Sequence, residues 1–216
     1  MWGTVARRDH LFSTKKFWCS CERCRDVTEF GSDISTIYDD GHPMLPEDPL
    51  DTDSDWVCEK TGMRRNADDV KEELSKIGLE LEVRVTYSKL RNMIIDHFVL
   101  LQQLAMKGNV DDSESFIEQY KSKLHPNHYH MVACKHQLMQ MYGRTEGCLI
   151  QDMDESQLKR KEELCREHLE VLTKIDPHFI RLMIFAAASH FELHMPILQA
   201  AKRKWEAGQV STEEFR

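Results

Sequence analysis

The chain has 216 residues, 41% hydrophobic and 31% charged, with nine Gly, six Pro and a net charge of −8. That length allows one large domain or two small ones with a proper core, and the composition leans towards helix. The negative balance gives general nucleic-acid binding no electrostatic support, and no apolar run approaches the ~20 residues that cross a bilayer. The opening MWGTVARRDH carries charges where a signal peptide needs its apolar stretch. The expectation is an intracellular chain, cytoplasmic or nuclear, whose seven cysteines are reduced rather than disulfide-bonded.

Residues 1–30 are basic and aromatic, with Arg7, Arg8, Lys15, Lys16, Arg23 and Arg25, and they contain the block FWCSCERC. Residues 31–66 show no sustained periodicity. They hold Pro43, Pro46 and Pro49 among Asp39, Asp40, Glu47, Asp48, Asp51, Asp53 and Asp55, which reads as an extended, poorly ordered acidic linker. From residue 67 to 216 the pattern is helical. Leu90, Ile94, Phe98, Leu101 and Ala105 follow a buried helix face that Gly108 stops. Further helices are expected at about 112–123, 126–142 with Gly143 beyond its end, 154–174, 177–193 and 195–207. Lys123-Leu124-His125-Pro126 recurs as Lys174-Ile175-Asp176-Pro177, each Pro placed to open the next helix. The predicted fold is mainly α: antiparallel hairpins in a tetratricopeptide-like stack, preceded by an irregular cysteine-rich segment that shares no periodic core with them.

Cys19, Cys21 and Cys24 in a Cys-x-Cys-x-x-Cys array can aim three sulfurs at one zinc ion, with Arg23 and Arg25 offsetting the thiolate charge. Within the chain Cys58, His10 and His42 are the candidates for a fourth ligand. Nothing nearby resembles a base for a metal-bound water, so the site reads as structural. His190 and His194 lie one helical turn apart but lack the metalloprotease spacing, and read as a packed or surface face. His125, His128 and His130 read as capping or packing groups, and Cys134, Cys148 and Cys165 as buried thiols. Met131, Leu138, Met139 and Met141 read as core, although exposed methionines would suit a partner.

Trp2-Gly3-Thr4, Arg7-Arg8-Asp9-His10-Leu11 and Lys16-Phe17-Trp18-Cys19-Ser20-Cys21-Glu22-Arg23-Cys24 resemble the post-SET region of the SET and MYND domain (SMYD) protein-lysine methyltransferases, the arthropod branch most. Asp26–Gly31, Leu45-Pro46, Pro49-Leu50-Asp51, Asp55–Cys58, Leu124–Tyr129 and Leu164-Cys165-Arg166 continue the resemblance. It implies the C-terminal part of such an enzyme: post-SET segment plus helical domain, with the SET core and MYND finger upstream. It implies zinc on Cys19, Cys21 and Cys24 with the fourth ligand from the SET core, and Phe17 stacked on the adenine of S-adenosylmethionine. The tyrosine of the family's lysine channel falls at Lys15. A second zinc site of the arthropod members is degenerate here, since Cys58 keeps only Thr61 where its partner would stand and Ile37–Gly41 has no cysteine. No catalytic residue is assigned, so the chain alone is expected to be inactive, its helices meeting protein substrates or partners. The rival reading is a non-catalytic helical protein–protein interaction module.

Overall fold

The computed structural model describes residues 2–90 and 110–210. Among them, as expected, helix dominates. In chain order the elements are α1 (Thr4–Lys15), α2 (Glu22–Arg25), β1 (Ile37–Asp39), β2 (His42–Pro46), β3 (Trp56–Val57) and β4 (Arg64–Arg65). Then follow α3 (Ala67–Leu90), α4 (Val110–Tyr120), α5 (Tyr129–Met141), α6 (Glu155–Ile175) and α7 (Met183–Glu206). The helix face expected at Ile94, Phe98, Leu101 and Ala105, with its stop at Gly108, lies outside the described residues.

Two compact units divide the chain: one holds the residues up to Val83 together with Ser115–Cys134, the other the segment ending at Glu114 and everything from Lys135. In the first unit, the segment expected as an unstructured linker carries a four-stranded antiparallel meander in the order β1-β2-β3-β4. Asp40 and Gly41 both have positive φ and close the β1–β2 hairpin, pairing Asp39 with His42. That two-residue loop matches the twist of the strands on either side. The prolines of β2 fit because its two ends pair with different neighbours, residues 42–44 with β1 and residues 45–46 with β3. Met44 and Trp56 are buried and give the meander a core side.

The cysteine-rich segment and part of the helical region also share this unit, contrary to the expectation that they have no common core. Tyr38 N–H donates to Lys123 O at 2.7 Å, His125 N–H to Thr36 O at 3.1 Å and Tyr129 N–H to Ile34 O at 2.8 Å. Ile37 and Leu124 form an antiparallel bridge. Residues 34–38 thus stitch the chain behind the cysteines to the Leu124–Tyr129 segment, above a core of Ile34, Ile37, Val70, Ile77, Phe116 and Leu124. Where α3 passes Tyr129 and His130, a Cβ on Gly78 would come 2.9 Å from the His130 ring, so the close approach needs glycine there.

Two expected helix starts shift. Pro126 precedes α5 in a turn closed by His128 N–H donating to His125 O at 2.8 Å. Pro177 likewise precedes α7, in a turn closed by Phe179 N–H on Asp176 O, while the Asp176 carboxylate accepts from the Arg181 and Leu182 backbones. Each proline therefore sits in the turn ahead of a helix rather than in its first turn. The two helices expected at 177–193 and 195–207 are one helix, with Pro196 inside it. A proline forfeits one backbone bond and strains the turn before it, and the burial of Ala186, Ser189, Glu192 and Pro196 along one face carries α7 through.

In the second unit α6 is closed at its start by a capping box. Asp154 accepts from Gln157 N–H, and the Gln157 side chain accepts from Asp154 N–H. Helices α6 and α7 pack antiparallel: Lys161 meets Glu192 and, further along α6, His168 meets Ser189. Leu138, Met139, Leu164, Cys165 and Leu172 form the core, so the methionine patch is interior as expected. Cys134 and Cys165 are buried thiols, whereas Cys148 is only half-buried.

Candidate metal centre

Helix α1 ends on Lys16 in the left-handed conformation, whose N–H donates to Phe12 O, and the chain turns back along the helix. Phe12 and Trp18 stack with ring centres 4.4 Å apart. Arg8, buried, lies over Trp18 and donates through Nε to Cys19 O at 2.9 Å and through its terminus to Leu50 O. The first cysteine is thereby tied both to α1 and to the loop between β2 and β3. Cys21 stands at the start of α2, where its carbonyl accepts from Cys24 N–H at 2.9 Å and Arg25 N–H at 3.1 Å. That single turn brings Cys24 round to face Cys21.

The Sγ atoms of Cys19, Cys21 and Cys24 all lie within 4.8 Å of one another, and Cys21 and Cys24 are 3.7 Å apart. A tetrahedral zinc with Zn–S bonds of ~2.3 Å needs sulfurs about 3.8 Å apart. The fit is close. Burial raises the Cys24 thiol, against the pull of the Arg7 guanidinium, which donates to Cys24 Sγ at 3.3 Å. Desolvation pushes Cys21 the same way, but the Cys24 and Arg23 backbones and the two neighbouring thiols hold it below the ordinary thiol value. Thiolate is the form a metal takes.

Behind the thiols lies a group that sequence reasoning missed. Glu29 is 1% exposed, yet its carboxylate accepts from Thr4 N–H at 2.8 Å, Ser35 Oγ at 2.8 Å, Arg23 Nε at 3.1 Å and Arg7. It sits in a run of left-handed residues, Glu29, Phe30 and Gly31, braced by Asp26, whose carboxylate accepts from Thr28 and Phe30. The one sequence signal was Asp26-x-Thr28, a turn in which a carboxylate bonds the backbone two residues on. Replacing Glu29 by Ala is expected to take the counter-charge from two guanidinium groups, Arg23 and Arg7, the second of them beside Cys24. The cost is about 3–5 kcal/mol, read as an earlier denaturant midpoint for the first unit; a midpoint within experimental error of the parent would refute the hub.

None of the three candidates for a fourth ligand belongs to the thiol group among the described residues. Cys58 is buried in the turn after β3, its N–H on Met63 O at 2.9 Å. The Thr61 hydroxyl bonds the Cys58 sulfur and lowers its pKa. His10 packs on Trp2 at 4.7 Å, and His42 is in β2 opposite Asp39. Phe17 stands 49% exposed between α1 and the cysteines. His128 is fully buried, and its Nδ1 accepts from His130 N–H at 3.3 Å, in keeping with a packing role. His190 and His194 are exposed on α7.

No family model matches the chain, and no solved structure matches it. Over 62 residues it is 36% identical to SET domain-containing protein SmydA-8, isoform B, of Drosophila melanogaster. A stretch of this chain is related to a SET-domain protein. The stretch takes 27% of this chain and only 14% of the fly protein, so the chain spans a small part of the relative it matches. The comparison gives a local similarity to a SET domain-containing protein, and the structure gives a cysteine group able to hold a metal ion. Among the described residues no helix is long and apolar enough to cross a membrane.

Proposed function

We propose that residues 1–216 are the post-SET segment and helical domain of a SET- and MYND-type, S-adenosylmethionine-dependent protein-lysine methyltransferase of the cytoplasm or nucleus. The observation that carries this reading is the set of three thiols around one point, with Cys21 and Cys24 spaced as two corners of a zinc tetrahedron. Cys19, Cys21 and Cys24 hold structural zinc, whose bound form fixes the turn that presents Phe17. The fourth ligand comes from the SET core. Arg7 and Arg23 offset the thiolate charge, and Glu29 keeps both guanidinium groups in place. Phe17, half exposed, is the face offered to the adenine of S-adenosylmethionine. No residue here is assigned to the methyl transfer itself, and the helices screen the protein substrate.

The test is zinc binding by the purified chain, followed by metal analysis and competition with a chromogenic chelator. One zinc per chain is expected, with an affinity that falls as pH drops because thiol protons compete. Cys21→Ser should weaken it at least tenfold. Zinc that binds equally well to the Cys21→Ser chain, or none at all, would remove the site.

A further inference from the structure

Helix α7 buries one face in its own unit and leaves the opposite face apolar. Along that face Ile184, Ala187, Phe191, His194, Leu198, Ala201 and Trp205 follow one another in steps of three and four. This 3.5-residue repeat is the seam by which one helix packs along another. The large members are open to solvent: Ile184 78%, Phe191 57%, Leu198 56% and Trp205 41% exposed. Met183, at 64%, and Ile197, at 43%, widen the seam on one side, and Ile180 extends it beyond the start of the helix. A monomer rarely leaves a continuous apolar stripe of this length uncovered.

The order of sizes along the seam says what covers it. Large and small residues alternate, Ile184, Phe191, Leu198 and Trp205 against Ala187, His194 and Ala201. Laid antiparallel on itself, such a seam places Ile184, Phe191 and Leu198 each opposite a smaller residue and sets Trp205 opposite the partner's Ile180, just ahead of its helix. Ile184 then faces the partner's Ala201, Ala187 the partner's Leu198, and Phe191 the partner's His194. The flanking positions also agree, with Met183 beside the partner's Ile197 and Met195 beside the partner's Met195. Lys202 falls next to the partner's Ala188, and His190, exposed, falls beside the partner's His190. A parallel pairing would instead set each residue against its own copy, leaving gaps at the alanines and crowding at Phe191 and Trp205.

We propose that this face is the interface of a homodimer in which α7 of one chain lies antiparallel on α7 of a second copy, about a two-fold axis between Phe191 and His194. Such an isologous contact is closed by its own symmetry. At roughly 100 Å² for each large side chain so exposed, the face offers on the order of the 800 Å² per partner that specific interfaces bury. The pairing uses no residue of the metal centre, so zinc binding and dimerisation can fail separately.

The test is the mass of the full chain by light scattering or sedimentation at about 100 µM, well above a micromolar Kd. Twice the 25.4 kDa chain mass is expected. Leu198→Glu, on an exposed position, should give a monomer with unchanged circular dichroism. Ala187→Lys should do the same. Mixing the two variants should restore a dimer, because Lys at 187 of one chain then faces Glu at 198 of the other. A parent chain that stays monomeric overturns the proposal, and so does a dimer that survives Leu198→Glu. Failure of the mixture to re-associate would overturn the antiparallel register.

Discussion

Between pH 6.5 and 4 the folded chain should lose most of its stability. His128 is completely buried, and desolvation, helped by the charges of His130 and His125, pushes it well below the ordinary imidazole range. Desolvation also takes His130 and His136 down to about 4 and His168 to about 3. The unfolded chain titrates these rings near 6.5. Below that pH the unfolded state binds protons that the folded state refuses, so stability falls as the pH falls, until the folded values are passed. At 1.36 kcal/mol per unit, His130, His136 and His168 each remove about 2 kcal/mol at pH 5. Together they approach the whole of a typical net stability of 5–15 kcal/mol. Urea midpoints at pH 7.5, 6 and 5 would show it, and an unchanged midpoint at pH 5 would mean that these rings are solvated. His168→Gln should make the dependence shallower by one proton while keeping a partner for the Ser189 hydroxyl, which lies 2.7 Å from His168 Nδ1.

Glu192→Ala should destabilise the second unit by about 3–5 kcal/mol. Lys161 is fully buried on the facing helix and donates through Nζ to Glu192 at 2.7 Å, Met139 O at 2.6 Å and Tyr142 O at 2.7 Å. Arg144 reaches the other oxygen of the same carboxylate. Without Glu192 the ammonium has two carbonyl dipoles and no counter-charge, in a place where desolvation already lowers its pKa. For a chain of this size the change corresponds to a fall of roughly 10 °C in Tm. Removing both charges as Lys161→Met with Glu192→Leu should recover part of the loss, because the pair's desolvation cost disappears with it. It should stop short of the parent, since the carbonyls that end α5 lose their donor. A single Glu192→Ala chain that melts with the parent would contradict this account.

The mainly helical fold was legible because amphipathic spacing and end signals are local. Asp154 with Gln157 announces the start of α6, and Gly143, with φ of 89°, closes α5 as its position suggests. The thiol group was legible for the same reason, since one turn of chain holds Cys21 and Cys24. What the sequence hid depends on partners far away in the chain. The acidic segment looked unstructured because its strands are two to five residues long, too short for an alternation to register. The Asp40-Gly41 hairpin was the signal to weigh more heavily. Glu29 carries no local mark of burial; its importance comes from Arg7, Arg23, Thr4 and Ser35 arriving from three different stretches. Pro196 promised a break in the last helix, and the packed face of α7 overrode it.

The stitch between residues 34–38 and 123–129 has a consequence for how the chain is made. The first unit is assembled from discontinuous pieces, so its second piece, Ser115–Cys134, leaves the ribosome long after the cysteines do. Until Leu124 and Tyr129 emerge, Ile34 O lacks the Tyr129 N–H and Ile37 has only its β2 neighbour Met44, and closing so long a loop is a slow, entropically costly step. Meanwhile the core that Ile34 and Ile37 share with Leu124 stands open in the nascent chain. Closure of the first unit is therefore a late event of synthesis, and a chain halted before residue 123 should exchange its Tyr38 amide rapidly, while the finished chain, where that amide donates to Lys123 O, protects it.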